Sequence, residues 1–165
     1  MAFIFPDPAV RALHLPRLFA LLFDSDGRAG MRLVTARTEA ATLWRAPGRA
    51  STSWLELLRH AMPLLGALGP ALGRGLAVSK AIEANMPPGT FWYLHIAGCE
   101  PLQQGKGLGG AAIRAGLYRA GSQPVYLETA TESNVPLYQA LGFNITCQWS
   151  VPKGGPRFWS MLREQ

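Results

Sequence analysis

Hydrophobic residues keep two different spacings along this chain, helical in some stretches and strand-like in others, and the switches between them mark the elements. Residues His14 to Phe23 read as a short amphipathic helix, ended by Asp24-Ser25-Asp26-Gly27. Met31 to Ala36 and Ala40 to Ala46 read as the two strands of a hairpin closed by Pro47-Gly48. Ser51 or Ser53 is positioned to cap the next helix, which sets Leu55, Leu58, Met62 and Leu65 on one core-facing side. After the Gly-rich stretch 66–75, a second helical piece runs to about Asn85 and stops at Pro87-Pro88. Thr90 to Cys99 is aromatic, β-rich and apolar on both faces, the pattern of a central strand.

The second half alternates more regularly. A turn from Glu100 to Lys106 leads into a helix from about Gly107 to Ala120. Pro124 to Glu128 reads as a strand, and Asn134 to Leu141 as a short helix closed by Gly142 in the C′ position. Phe143 to Val151 and Arg157 to Leu162 form a final antiparallel pair around Pro152-Lys153-Gly154-Gly155. The order β-α-β-α-β-β predicts a mixed α/β or α+β fold.

Composition narrows the class. The chain has 165 residues, 48% of them hydrophobic and 16% charged, which suits one domain over 1–165 and excludes a disordered chain. Its most apolar stretch, His60 to Gly73, is broken by Pro63, Gly66, Gly69 and Pro70 and is shorter than the ~20 residues of a membrane-spanning helix. Met1 to Val10 lacks a basic segment and carries Asp7 between two prolines, unlike a secretory signal. The two cysteines, Cys99 and Cys147, have no partners at metal-ligand spacing, so neither a disulfide scaffold nor a metal site is expected. A soluble, cytoplasmic domain without membrane association is the expectation. The net charge of +6 comes mostly from arginine, which suits a phosphate-bearing partner. No basic run or aromatic-interleaved basic stripe points to nucleic acid.

The segment that carries chemistry is Gln103-Gln104-Gly105-Lys106-Gly107-Leu108-Gly109-Gly110, between the central strand and a helix. Glycines let backbone N–H groups approach an anion, and a helix start adds unpaired donors and a positive dipole end. Such a loop suits a pyrophosphate. Gly105, Gly107 and Gly110 satisfy G-x-G-x-x-G, with Glu128 ending the next strand, so an NAD(P)-binding oxidoreductase domain is one reading. Against it, Glu100 to Gln104 separates loop from strand, and the chain ends in an antiparallel pair. No Lys-Ser or Lys-Thr follows the glycines, which excludes the phosphate-binding lysine loop.

Gln104-Gly105-Lys106-Gly107-Leu108-Gly109 resembles the Q/R-x-x-G-x-G/A loop of the GNAT N-acetyltransferases. Tyr93 to Pro101 resembles their fourth strand and its V-x-P exit, with Cys99 where valine is usual. Leu127-Glu128-Thr129, Asn134, Leu137-Tyr138 and Gly142-Phe143 resemble the family's L-E-x…N…L-Y…G-F region. The tail from Val151 to Pro156 is similar to members near the puromycin-type acetyltransferases, as is Ala41 to Gly48. The resemblance covers residues 90–165 most fully. It implies a mostly antiparallel central sheet flanked by helices, with 1–89 as the acceptor-side half and 90–165 as the acetyl-CoA-binding half. Residues 1–13 are too few to supply the family's usual first strand and helix ahead of His14, so either the chain is naturally short, or its start is set late, or a partner such as a second copy covers the exposed sheet edge.

The resemblance also implies roles. Pantetheine would lie where the fourth and fifth strands splay, pairing with backbone at Ala97, Gly98 and Cys99, and the Cys99 N–H would hold the thioester oxygen and its oxyanion. Amides from Gly105 to Gly109, flanked by Gln104 and with Lys106 and Leu108 in the loop, would hold the pyrophosphate of acetyl-CoA. Tyr138 would protonate the leaving thiolate, Asn134 would contact the pantetheine arm, and Glu128 would deprotonate the amine. Plainer readings stand beside these. Tyr138 is also a helix aromatic beside Phe143, Asn134 an N-cap, and Glu128 a strand-end carboxylate paired with an arginine. His95, opposite Leu94 and Ile96, is a reserve base or a hydrogen-bonded core histidine. The expected activity is direct transfer of acetyl from acetyl-CoA to a primary amine on a small molecule or peptide. A non-catalytic acyl-CoA-binding module remains as an alternative.

Overall fold

Asp7 sets the start of the first helix. Its Oδ1 accepts from the backbone N–H of Ala9 at 2.7 Å and of Val10 at 3.0 Å, and Pro8 follows at the first helical position. In the computed structural model, which describes residues 1–50 and 61–164, this helix α1 spans Pro8–Ala29. It is longer at both ends than the pattern predicts, and Asp24 to Gly27 continue it rather than stop it. The reason is tertiary. Asp26 is fully buried and ion-paired to the sheet, so the last turn is fixed from outside the helix.

The hairpin follows as β1 (Gly30–Val34) and β2 (Ala40–Arg45), turning through residues 35–39. Residues 51–60 lie outside the described residues, and with them the Ser51 or Ser53 cap and Leu55 and Leu58. Beyond them, α2 (Ala61–Leu68), a short 3-10 turn at Gly69–Ala71 and α3 (Leu72–Ala84) make the Gly-rich stretch largely helical rather than a break between helices. Met62 and Leu65 do not face the core. They are 78% and 46% exposed, while Ala67, Leu68 and Ala71 are the residues buried against Phe5 and Leu18. The helix therefore turns the side that carries Leu64, Ala67 and Leu68 toward α1, and the side that carries Met62 and Leu65 away from it.

The second half matches its pattern closely: β3 (Trp92–Cys99), α4 (Leu108–Ala120), β4 (Val125–Thr129), α5 (Val135–Ala140), β5 (Asn144–Ser150) and β6 (Arg157–Arg163). Gly142, at φ 88°, closes α5: its N–H reaches Gln139 O and the Phe143 N–H reaches Tyr138 O. The six strands order as β1-β2-β3-β4-β6-β5, and only β3 and β4 run parallel. β3 is central, as expected. Helices α4 and α5 cover one face over Trp44, Leu94, Ile113, Leu127, Tyr138 and Met161; α1, with α2 packed on it, lies on the other. Gly116 brings α4 down onto that first core: a Cβ there would run into the Trp44 indole. Among the described residues no strand precedes α1, and no helix is long and apolar enough to cross a membrane.

Candidate active site

The central pair of strands parts almost as soon as it meets. β3 and β4 pair only at Trp92–Val125 and Tyr93–Tyr126, so the rest of β3 borders an opening. Which backbone groups face that opening follows from a slip in register on the other side. Leu43 pairs with Ile96 but Trp44 pairs with Leu94, which leaves His95 as an extra residue in β3. Before the bulge, the Trp92 N–H donates to Pro124 O, toward β4; after it, the Glu100 N–H donates to Glu39 O, toward β2. In an unbroken strand these two residues, an even number apart, would point the same way. The bulge inverts the phase and turns the N–H and C=O of Ala97 and Cys99 toward the opening.

The glycine loop closes the end of that opening. Gly105 and Gly107 both hold φ 78°, and a Cβ on either would meet open space, so the loop is not filled by side chains. Gly107 is the N-cap of α4. The backbone N–H groups from Gly105 to Gly110 donate to no acceptor among the described residues. They are a row of bare donors at a helix start, which fits a pyrophosphate. Gln104 Nε2 donates to Cys99 O at 3.3 Å and ties loop to strand, while Lys106 Nζ reaches Gln103 Oε1 at 2.8 Å in solvent.

The ionisable groups lie on the side of β3 that faces α1. Tyr93 donates its hydroxyl proton to Glu128 Oε1, and Glu128 Oε2 is buried with no hydrogen-bond partner. Burial pushes the Glu128 carboxyl up to about 7, although the Tyr93 hydroxyl and the nearby Tyr126 phenol pull the other way. Burial, then the charge of Glu128, raises the Tyr93 phenol well above its usual value. The Tyr93 ring lies 5.1 Å from that of His95, whose Nδ1 sits 2.7 Å from Asp26 Oδ2. Asp26 Oδ1 accepts from Arg45 Nε at 2.7 Å, and Arg45 also donates to Ser25 Oγ. Burial alone would raise Asp26; bonding to His95 and Arg45 outweighs it and holds the carboxyl below its usual range. Tyr138 comes from the opposite face, buried edge-on to Phe143 at 6.1 Å, and its hydroxyl makes no hydrogen bond among the described residues. Burial and then the Glu128 charge raise its pKa, so it is protonated at neutral pH.

Solved structures share this overall fold. A Corynebacterium glutamicum protein described as histone acetyltransferase HPA2 and related acetyltransferase superimposes with a TM-score of 0.70 at 24% identity, over 96% of this chain and 78% of that one. The fold is that of the GNAT acetyltransferases. Drosophila melanogaster polyamine N-acetyltransferase matches with a TM-score of 0.60 at 18% identity, over 88% of this chain and 79% of that one. Arylalkylamine N-acetyltransferase 2 from Aedes aegypti gives 0.61 at 12%, over 89% and 79%. No family model matches the sequence.

Within the GNAT fold, Ala97, Gly98 and Cys99 lie along the opening, and Gln104 to Gly109 at its end. Glu128 and Tyr138 are close enough for the charge of one to move the pKa of the other. Three expectations change. Glu128 pairs with Tyr93, not with an arginine. Asn134 occupies the N-cap position of α5 but makes no side-chain cap bond. His95 does not lie opposite Ile96: the bulge puts both on the α1 face, Ile96 beside Phe19 and Phe23 and His95 against Asp26. Asp26, Arg45 and Tyr93 carry no motif, and the sequence pattern places none of them at the site.

Proposed function

We propose that this chain transfers an acetyl group from acetyl-CoA to a primary amine within a ternary complex. The observation that carries the reading is the edge of β3 at Ala97 and Cys99, turned by the bulge into an opening that β4 does not close. Acetyl-CoA supplies an activated thioester carbonyl when bound. Bare amides from Gly105 to Gly110 hold its diphosphate, with Gln104 and Leu108 framing the loop and Lys106 adding charge in solvent. The groups of Ala97 to Cys99 align the pantetheine arm, helped by Asn134, and the Cys99 N–H stabilises negative charge on the carbonyl oxygen. Glu128, with a carboxyl poised near 7 and a free oxygen, accepts the ammonium proton. The freed amine forms the C–N bond, the C–S bond breaks as Tyr138 gives its phenolic proton to the sulfur, and the second proton shed by the acylated nitrogen restores the phenol.

Two of the structural neighbours are named for polyamine and arylalkylamine substrates and one for histone, so small amines and peptides are both acceptors to test. Purified protein should release CoA from acetyl-CoA when offered primary amines, and acetyl-CoA, not NAD, should raise its melting temperature. Tyr138→Phe should lower kcat at least ~10-fold and leave acetyl-CoA affinity unchanged, as expected for a contact made in the transition state. Unchanged kcat would remove Tyr138 from the mechanism.

A further inference from the structure

On the α1 side of β3, next to the opening, lies an open cleft of about 280 Å³. Its walls are Phe19 and Phe23, one helical turn apart on α1, and its floor is Ala41, Leu43 and Ile96. Both rings remain over a third exposed, Phe23 with the Arg32 guanidinium 4.4 Å over its ring. One end is different. Glu39 and Glu100 line it, held together by the Glu100 N–H bond to Glu39 O. Glu39 is kept ionised below its usual range by bonds from the Thr35 hydroxyl and backbone N–H groups. Gly98, between the two residues whose backbone faces the opening, also lines the cleft, so cleft and opening meet there.

An alkylammonium with a pKa near ~10 arrives charged. The net charge of +6 disfavours a cation overall, so a pair of acids is what can draw one in. A cleft with aromatic walls and an acidic end beside the reaction edge therefore selects a cation that carries an apolar body. We infer that the acceptor is a hydrophobic primary amine, an aryl- or long alkylamine, whose body packs between Phe19, Phe23 and Ile96 while Glu39 and Glu100 draw its ammonium group toward Gly98. This specificity rests on the acetyltransferase reading for its chemistry, but not for its binding.

The test separates the two. Phenethylamine, hexylamine, ethanolamine and a short peptide are compared for CoA release, and phenethylamine binding is measured by calorimetry with CoA present. The expected result is a kcat/KM for phenethylamine and hexylamine at least ~10-fold above that for ethanolamine or the peptide. Phe19→Ala should raise the phenethylamine KM roughly 10-fold, and Ala41→Leu, which fills the floor, should do the same. Neither should alter acetyl-CoA affinity or the melting temperature, since Phe19 is exposed and Ala41 is half-exposed. Glu100→Gln should weaken phenethylamine binding a few-fold, less at high salt. Preference for ethanolamine or the peptide, or indifference to both cleft variants, overturns the inference and leaves acetyl transfer intact. Phenethylamine binding that depends on Phe19 without any CoA release upholds the cleft and overturns the acetyl-transfer reading. No phenethylamine binding overturns the cleft whatever the enzyme does.

Discussion

The two sides of the β3–β4 opening are built from different materials. Toward α4 the functional atoms, the Tyr138 hydroxyl apart, belong to the main chain: the Ala97 and Cys99 edge and the amides from Gly105 to Gly110. Toward α1 they are side-chain acids, bases and phenols: Glu128, Tyr93, His95, Asp26 and Arg45. Main-chain donors have no pKa to tune and cannot swing away, which suits an anion of constant charge. A proton acceptor must change charge, so it needs a carboxyl whose pKa the surroundings set. One side grips; the other side titrates.

The largest expected effect lies in the titrating side. Asp26→Asn removes the carboxylate that both Arg45 and His95 bond to in a buried site, which should cost about 3–5 kcal/mol of stability. A urea titration at pH 7 measures it. Because the wild-type carboxyl is held below its usual 3.8, its contribution is complete above that pH and is lost as pH falls through the lower folded value. The gap between wild type and variant should therefore close below about pH 4. A gap that persists in acid would mean that shape, not charge, holds α1 to the sheet.

The same contrast explains what could be read from the chain. Main-chain chemistry is written as contiguous glycine spacing, so the loop, the strand before it and the helix after it are all visible between residues 90 and 120. The side-chain cluster on the other side is assembled from Asp26, Arg45, His95 and Glu128, and Asp26 and His95 are 69 residues apart. No local pattern joins them. Asp26 looked like part of a helix stop because isolated acids usually are, and the bulge at His95 left no mark because strand alternation carries no register with a distant hairpin. Met62 and Leu65 misled for a related reason: size alone does not say which helix face a neighbour will approach.

Gly107→Val attacks the gripping side. The valine carries a branched side chain at φ 78° into the space left for the diphosphate. Loss of two charge-assisted bonds at ~2 kcal/mol each predicts roughly a 1000-fold weaker acetyl-CoA complex. Acetyl-CoA should no longer raise the melting temperature of the variant, while the pH dependence of its unfolding, a property of the other side, stays the same. Wild-type affinity would show that the diphosphate lies elsewhere.

Glu128→Gln returns to the titrating side with a smaller effect. Turnover should fall about 100-fold, at the lower end for a general base, and the acidic limb of kcat/KM near pH 7 should vanish. Stability should respond in the opposite sense. Glu128 has a folded pKa raised above its usual 4.5 to about 7, so the native state binds the extra proton between those values and loses stability as pH rises through them. Gln carries no charge to bury. The variant should therefore melt above wild type at pH 8 and near it at pH 4.5, and a Tm gain equal at both pH values would deny that the carboxylate is the desolvated group.

Lys106→Ala is the smallest and sets the boundary between the two sides. Lys106 is the one cation within the glycine loop, but it stands in solvent and its ammonium is bonded to Gln103. An exposed charge near a diphosphate contributes little and is screened by salt, so acetyl-CoA affinity should fall only about 3-fold at low salt. At about 0.5 M salt, where the screening length is well under 10 Å, the difference should disappear. If Lys106→Ala instead approached Gly107→Val in its effect, and did so at high salt, the grip would belong to a side chain. The division of the opening into a main-chain side and a titrating side would then fail, because both sides would depend on placed charges.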